Sequence, residues 1–124
     1  MTLLRFYPTT EAGQRTPTWT PATDIIEKAD GYTITLDAPG FTREGLTIKV
    51  REGVLTVSGE RKSPEGEDEK YFHYHERPYG TFERSFRLPE HIDSESIKAS
   101  YENGVLTLEL NKKEEAKPHL ITIK

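Results

Sequence analysis

Residues 96–110, S-I-K-A-S-Y-E-N-G-V-L-T-L-E-L, limit the fold more than any other stretch. Asn103-Gly104 is the strongest short-range hairpin signal, because a two-residue type I′ turn needs φ > 0 at both central positions. That turn sets the register: Glu102 faces Val105, Tyr101 faces Leu106, Ala99 faces Leu108 and Ile97 faces Leu110. One face then carries Ile97, Ala99, Tyr101, Leu106, Leu108 and Leu110. The other is polar, with Lys98 opposite Glu109, a favourable cross-strand pair. A slip of one residue would turn every apolar side chain into water.

The motif recurs once. Glu52-Gly53-Val54-Leu55-Thr56-Val57 repeats the pattern of Asn103-Gly104-Val105-Leu106-Thr107-Leu108. Taking Glu52-Gly53 as the turn pairs Val50 with Leu55, Ile48 with Val57 and Leu46 with Gly59. Two hairpins with one greasy face each can cover one another, which predicts an all-β, two-layer antiparallel sandwich.

The rest of the chain fits this plan. Tyr32, Ile34, Leu36 and Ala38 alternate with Thr33, Thr35 and Asp37, a strand closed by Pro39-Gly40. Residues 25–28 read as a short strand before the Asp30-Gly31 turn. Phe82, Arg84, Phe86 and Leu88 alternate until Pro89. Residues 71–77, Y-F-H-Y-H-E-R, read as a short aromatic strand, and residues 93–96 as a single helical turn. The charged run at residues 61–70, broken by Pro64 and Gly66, reads as a solvated loop. About seven strands with turns every 8–12 residues is a sandwich signature.

Three regions follow: an arm at residues 1–18, a sandwich at 19–112, and a tether with an apolar end at 113–124. The arm has no period of 2 or 3.6, so Leu3, Leu4, Phe6 and Tyr7 should dock on a sheet or contact another chain. Ile121 and Ile123, two apart, project to one side of an extended segment. They either extend the chain's own sheet or find a receptor elsewhere, since an exposed apolar strand at a terminus invites aggregation.

Composition narrows the function. With 124 residues the chain is one domain, and 17 basic against 21 acidic residues give a net charge of −4. Without a basic run, neither nucleic acid nor an anionic membrane is expected as a partner. There is no cysteine, so disulfides and thiolate metal sites are excluded, in keeping with a reducing cytoplasm. Neither a signal-peptide pattern nor an apolar stretch of membrane-spanning length is present. Catalytic motifs are absent too: no G-x-S-x-G, phosphate loop, H-E-x-x-H or dinucleotide fingerprint occurs. His73 and His75 have the spacing of a two-histidine clamp, but a metal needs a third ligand and no motif supplies one. Polar contacts are the expected use of the pair, with no metal, cofactor or nucleotide.

These residues together resemble the small heat-shock proteins, the alpha-crystallin family. The resemblance covers residues 19–123. It is carried by Pro21-Ala22-Thr23-Asp24-Ile25, Leu36-Asp37-Ala38-Pro39-Gly40, and Val54-Leu55-Thr56-Val57-Ser58-Gly59-Glu60-Arg61. Further on come Glu76-Arg77, the run Gly80-Thr81-Phe82-Glu83-Arg84-Ser85-Phe86-Arg87-Leu88-Pro89, and the Asn103-Gly104 hairpin. Ile121-Thr122-Ile123 is similar to the family's I-x-I motif.

The resemblance implies an immunoglobulin-like sandwich and an ATP-independent holdase for unfolding clients. It implies a homodimer by strand exchange, in which Tyr71, Phe72, His73, Tyr74, His75 and Glu76 add to the partner's edge at Asp24, Ile25 and Ile26. Arg84, on the apolar side of its strand, would pair there with Glu76; the bland alternative is a snorkelling side chain. Larger homo-oligomers would form when Ile121 and Ile123 insert between two strands of a neighbouring dimer, against Leu46, Ile48, Val50, Ile97, Ala99 and Tyr101. Clients would meet Leu3, Leu4, Phe6, Tyr7 and Trp19. Two rival classes remain at this level: a co-chaperone-type sandwich that docks one folded partner, and a metal-dependent β-fold enzyme.

Overall fold

Two turns fix the register of the two hairpins. In the computed structural model, which describes residues 5–7, 19–62, 69–118 and 120–124, Glu52 and Gly53 have φ of 51° and 77°, and Asn103 and Gly104 have 54° and 75°. Both central positions of each turn are left-handed, as a two-residue hairpin requires. The first turn joins β4 (Leu46–Arg51) to β5 (Val54–Arg61), with Leu46 opposite Gly59 and Ile48 opposite Val57. The second joins β7 (Lys98–Glu102) to β8 (Val105–Asn111), with Tyr101 opposite Leu106 and Lys98 opposite Glu109. At Gly104 a Cβ would also lie 3.1 Å from the Cα of Pro39, so the turn needs glycine twice over.

The remaining strands are β1 (Arg5–Tyr7), β2 (Thr23–Lys28), β3 (Gly31–Asp37) and β6 (Gly80–Arg87). They complete two antiparallel four-stranded sheets, ordered β1-β6-β5-β4 and β2-β3-β8-β7. The two hairpins thus fall in different sheets and face each other, as their apolar faces demand. Burial alternates along β3, where Tyr32, Ile34 and Leu36 are buried, and along β8, where Leu106, Leu108 and Leu110 are buried. Leu55, Val57, Phe82 and Phe86 meet them from the other sheet. The helical turn expected after residue 92 is a 3₁₀ turn, Ser94–Ser96, capped by the Asp93 side chain.

Two expectations change. Residues 71–77 make no strand within the chain: a 3₁₀ turn at Glu69–Tyr71 leads into bends. Local contacts bend the segment. The Phe72 ring stacks on His75 at 4.4 Å, and His75 Nε2 lies 2.9 Å from the Arg77 carbonyl. Arg61 is not part of a solvated loop but is 7 % exposed, with its guanidinium turned inward. Of the arm, Arg5–Tyr7 docks on a sheet, pairing antiparallel with β6. Leu3, Leu4 and the side chains of Phe6 and Tyr7 lie outside the described residues.

Candidate functional site

The two sheets end on the same side in β4 and β7. Each strand has one neighbour in its own sheet, so neither β4 nor β7 can close the sandwich there. The result is a groove of about 420 Å³ lined by Arg43, Leu46, Ile48, Ala99, Ser100, Tyr101, Glu102 and Leu106. Four of the six residues expected to receive the tail line it: Leu46, Ile48, Ala99 and Tyr101. Val50 and Ile97 do not; Val50 is 37 % exposed near the far end of β4, and Ile97 packs against the core. The additions have local causes. Arg43 opens a 3₁₀ turn capped by Thr42, whose hydroxyl accepts from the Gly45 N–H at 3.1 Å. Ser100 and Glu102 are β7 residues that the face alternation assigned to the polar side.

Tyr101 lines the groove and is anchored by its hydroxyl. Its hydroxyl donates to the Ala38 carbonyl at 2.6 Å and accepts from the Phe41 N–H at 3.3 Å. The ring is thereby held rigidly beside the apolar floor.

At the opposite edge of the second sheet, β2 pairs, among the described residues, only with β3. Ile25 and Ile26 are 37 % and 52 % exposed along it, and Asp24 is exposed as well. Tyr71, His73, Tyr74, His75 and Glu76 are exposed and Phe72 is half-buried. None of these six forms a ladder with β2 of its own chain. Arg84 is anchored within the chain, donating through Nη1 to the Pro21 carbonyl at 3.0 Å and the Thr23 hydroxyl at 2.7 Å. It therefore holds the start of β2, and the Glu76 of its own chain is not its partner. Burial holds the Arg84 guanidinium below its ordinary value.

Trp19 packs partly into the core. Its ring is half-buried, 5.9 Å from Phe41 and 5.3 Å from Phe82, with the Arg61 guanidinium 4.8 Å from its centroid. Its large apolar area is more stable in this pocket than in water. The tail lies at the other extreme. Leu120, Ile121 and Ile123 are 103 %, 88 % and 94 % exposed and lie in no strand of the chain. Among the described residues no group of three or more histidine, aspartate or glutamate side chains is arranged to hold a metal.

Comparison with known proteins places this architecture. A family model described as the Hsp20/alpha crystallin family matches residues 24–124. Small heat shock protein C2 of Rickettsia felis is 36 % identical over 104 residues, 84 % of this chain and 68 % of that protein. The 22.0 kDa heat shock protein of Arabidopsis thaliana is 50 % identical over 90 residues, 72 % of this chain and 46 % of that protein. The chain thus spans about half the length of that plant relative. In three dimensions it is similar to a small heat-shock protein from Xylella fastidiosa, with a TM-score of 0.74 and 32 % identity over 86 % of this chain and 98 % of that one. Among the described residues no helix is long and apolar enough to cross a membrane. The matched region takes in seven of the eight strands, the groove and the tail, and the chain belongs to the Hsp20/alpha crystallin family, whose members are chaperones and not enzymes.

Proposed function

We propose that this protein is an ATP-independent holdase that assembles through its own uncovered edges and lends the same apolar surface to unfolding clients. One observation carries the reading: Ile121 and Ile123 stand almost fully exposed in a chain that also holds an open groove between β4 and β7, partly lined by Leu46, Ile48, Ala99 and Leu106. Docking the two isoleucines of one copy in the groove of another would cover both. Burying two isoleucine side chains contributes roughly 3–6 kcal/mol gross, less the cost of ordering the tether. A single contact is therefore weak and reversible, while several within one assembly hold by multivalency. Heat then releases grooves without any nucleotide, and hydrophobic burial, being non-directional, accepts clients of many sequences.

The dimer follows the same logic. Residues 71–76 add as a strand to the β2 edge of a partner, giving a ladder to a segment that has none in its own chain. Arg84, fixed at the start of β2, lies beside that edge, where Glu76 of the partner subunit would arrive. The exposed Ile25 and Ile26 and the length of the connection between β5 and β6 support this geometry. The Xylella fastidiosa relative is described as having a distinct high order structure, which supports assembly beyond the dimer. A reducing cytoplasm is the compartment that suits a chain without cysteine.

Two measurements on one preparation test the reading: particle mass by light scattering, and suppression of a heat-labile enzyme's aggregation at equimolar amounts without nucleotide. A multimer that keeps the enzyme in solution is expected. A monomer that lets the enzyme precipitate would refute the proposal.

A further inference from the structure

Arg61 ends β5, opposite Gly80, which begins β6. The chain leaves the sheet at the first and re-enters at the second, with residues 62–79 between them. The guanidinium is buried and spans two separate loops. Its Nη1 donates to the Pro39 carbonyl at 2.7 Å, its Nε to the Pro78 carbonyl at 3.0 Å, and its Nη2 also to Pro78. The rings of Trp19 and Tyr79 flank it at 4.8 Å and 5.7 Å. No carboxylate is among its partners in the described residues.

A buried cation costs several kcal/mol unless polar groups compensate it, and here carbonyl dipoles and aromatic faces are the compensation. Both acceptors are proline carbonyls. Proline has no N–H and a fixed φ, so these residues stay out of the ladders and keep stiff, available oxygens. Only a planar fork of donors reaches both loops at once. Gly40, at φ +84°, leaves room for it, since a Cβ there would lie 3.2 Å from the Arg61 Cδ.

We propose that Arg61 is a positioning residue for strand exchange: by tying the re-entry point at Pro78 to the β3–β4 connection at Pro39, it sets the direction in which residues 71–76 leave the sandwich. The role rests on the exchange dimer proposed above. An untied re-entry point would let the segment swing, so that docking on the partner's β2 edge must first fix it at an entropic cost.

Hydrogen exchange on the full-length protein at assembling concentration tests this with Arg61→Lys, which keeps the charge but loses the fork. Amides of residues 71–76 should lose at least about tenfold in protection, the equivalent of one charged hydrogen bond, while β3 and β8 amides hold their rates. Pro78→Gly, at an exposed position, should move the same amides in the same direction if Arg61→Lys fails to fold. Wild-type amides at 71–76 that exchange at free-chain rates would remove strand exchange and this role together. Protected wild-type amides that the variants leave unchanged would overturn the role of Arg61 alone. A uniform loss across β3 and β8 would also overturn it, reducing Arg61 to a stabilising residue.

Discussion

Replacing Ile121 and Ile123 by alanine separates assembly from folding. Each substitution removes three carbons, at about 0.8 kcal/mol per buried CH₂, so the pair forfeits about 5 kcal/mol of docking. Both side chains are nearly fully exposed, at 88 % and 94 %, so almost all of their area is available for burial in the groove. The cost of ordering the tether is common to both proteins and cancels. At about 1.4 kcal/mol per decade, each tail contact weakens by about three orders of magnitude, an upper value because free tails already hide some apolar area. The sandwich itself loses nothing, since neither side chain is packed in the chain's own core. Light scattering should therefore show the mass fall to that of the dimer, with the thermal melt of the sandwich unchanged. Ala99→Trp, which fills the groove from the receptor side, should do the same. Mixing the two variants should restore part of the mass, because one keeps its grooves and the other its tails. A mass unaffected by either variant would refute the reasoning, as would a tail variant that melts the sandwich early.

Three further changes probe the frame. Gly31→Ala places a Cβ 2.0 Å from the Leu110 carbonyl oxygen, so β3 and β8 must part; a loss of about 3–5 kcal/mol is expected from chemical denaturation. Tyr32 is buried, and its phenol, which donates to Glu27 Oε2 at 3.3 Å, has a pKa raised above 10.0 by burial first and by Glu27 second. A raised folded value means stability is full below the unfolded pKa and lost as pH rises through the folded one; Tyr32→Phe should flatten that alkaline decline and leave the slope at neutral pH alone. Arg84→Ala removes the hydrogen bonds to Pro21 and Thr23, worth about 1.5–3 kcal/mol to a charged donor. Faster amide exchange at the start of β2 is the expected readout, and unchanged exchange would show these bonds to be idle.

The parts of the molecule legible in its sequence are those governed by a two-residue period and by left-handed turns. Asn103-Gly104 and Glu52-Gly53 fixed two registers residue for residue, because a turn that needs φ > 0 twice leaves one way to pair the flanking strands. Half of the groove was legible for the same reason: Leu46, Ile48, Ala99 and Tyr101 share the apolar faces of two hairpins that the sandwich brings edge to edge. Arg43, Ser100 and Glu102 were not, since a groove between edge strands also takes side chains from connecting turns and from the polar face. Arg61 and Trp19 both read as more exposed than they are. An arginine leading a charged run reads as solvated and a tryptophan beside an irregular arm reads as free, yet each hides the other: the ring covers the cation and the cation faces the ring. Neither has a sequence period that could announce the pair. Residues 71–76 differ again. Phe72, His73, Tyr74 and His75 alternate as a strand does, but a ladder needs a second strand, and within one chain the segment bends on Phe72 and His75 instead. What a sequence pattern specifies there is a propensity to pair, which the proposed exchange onto the β2 edge of another copy would use.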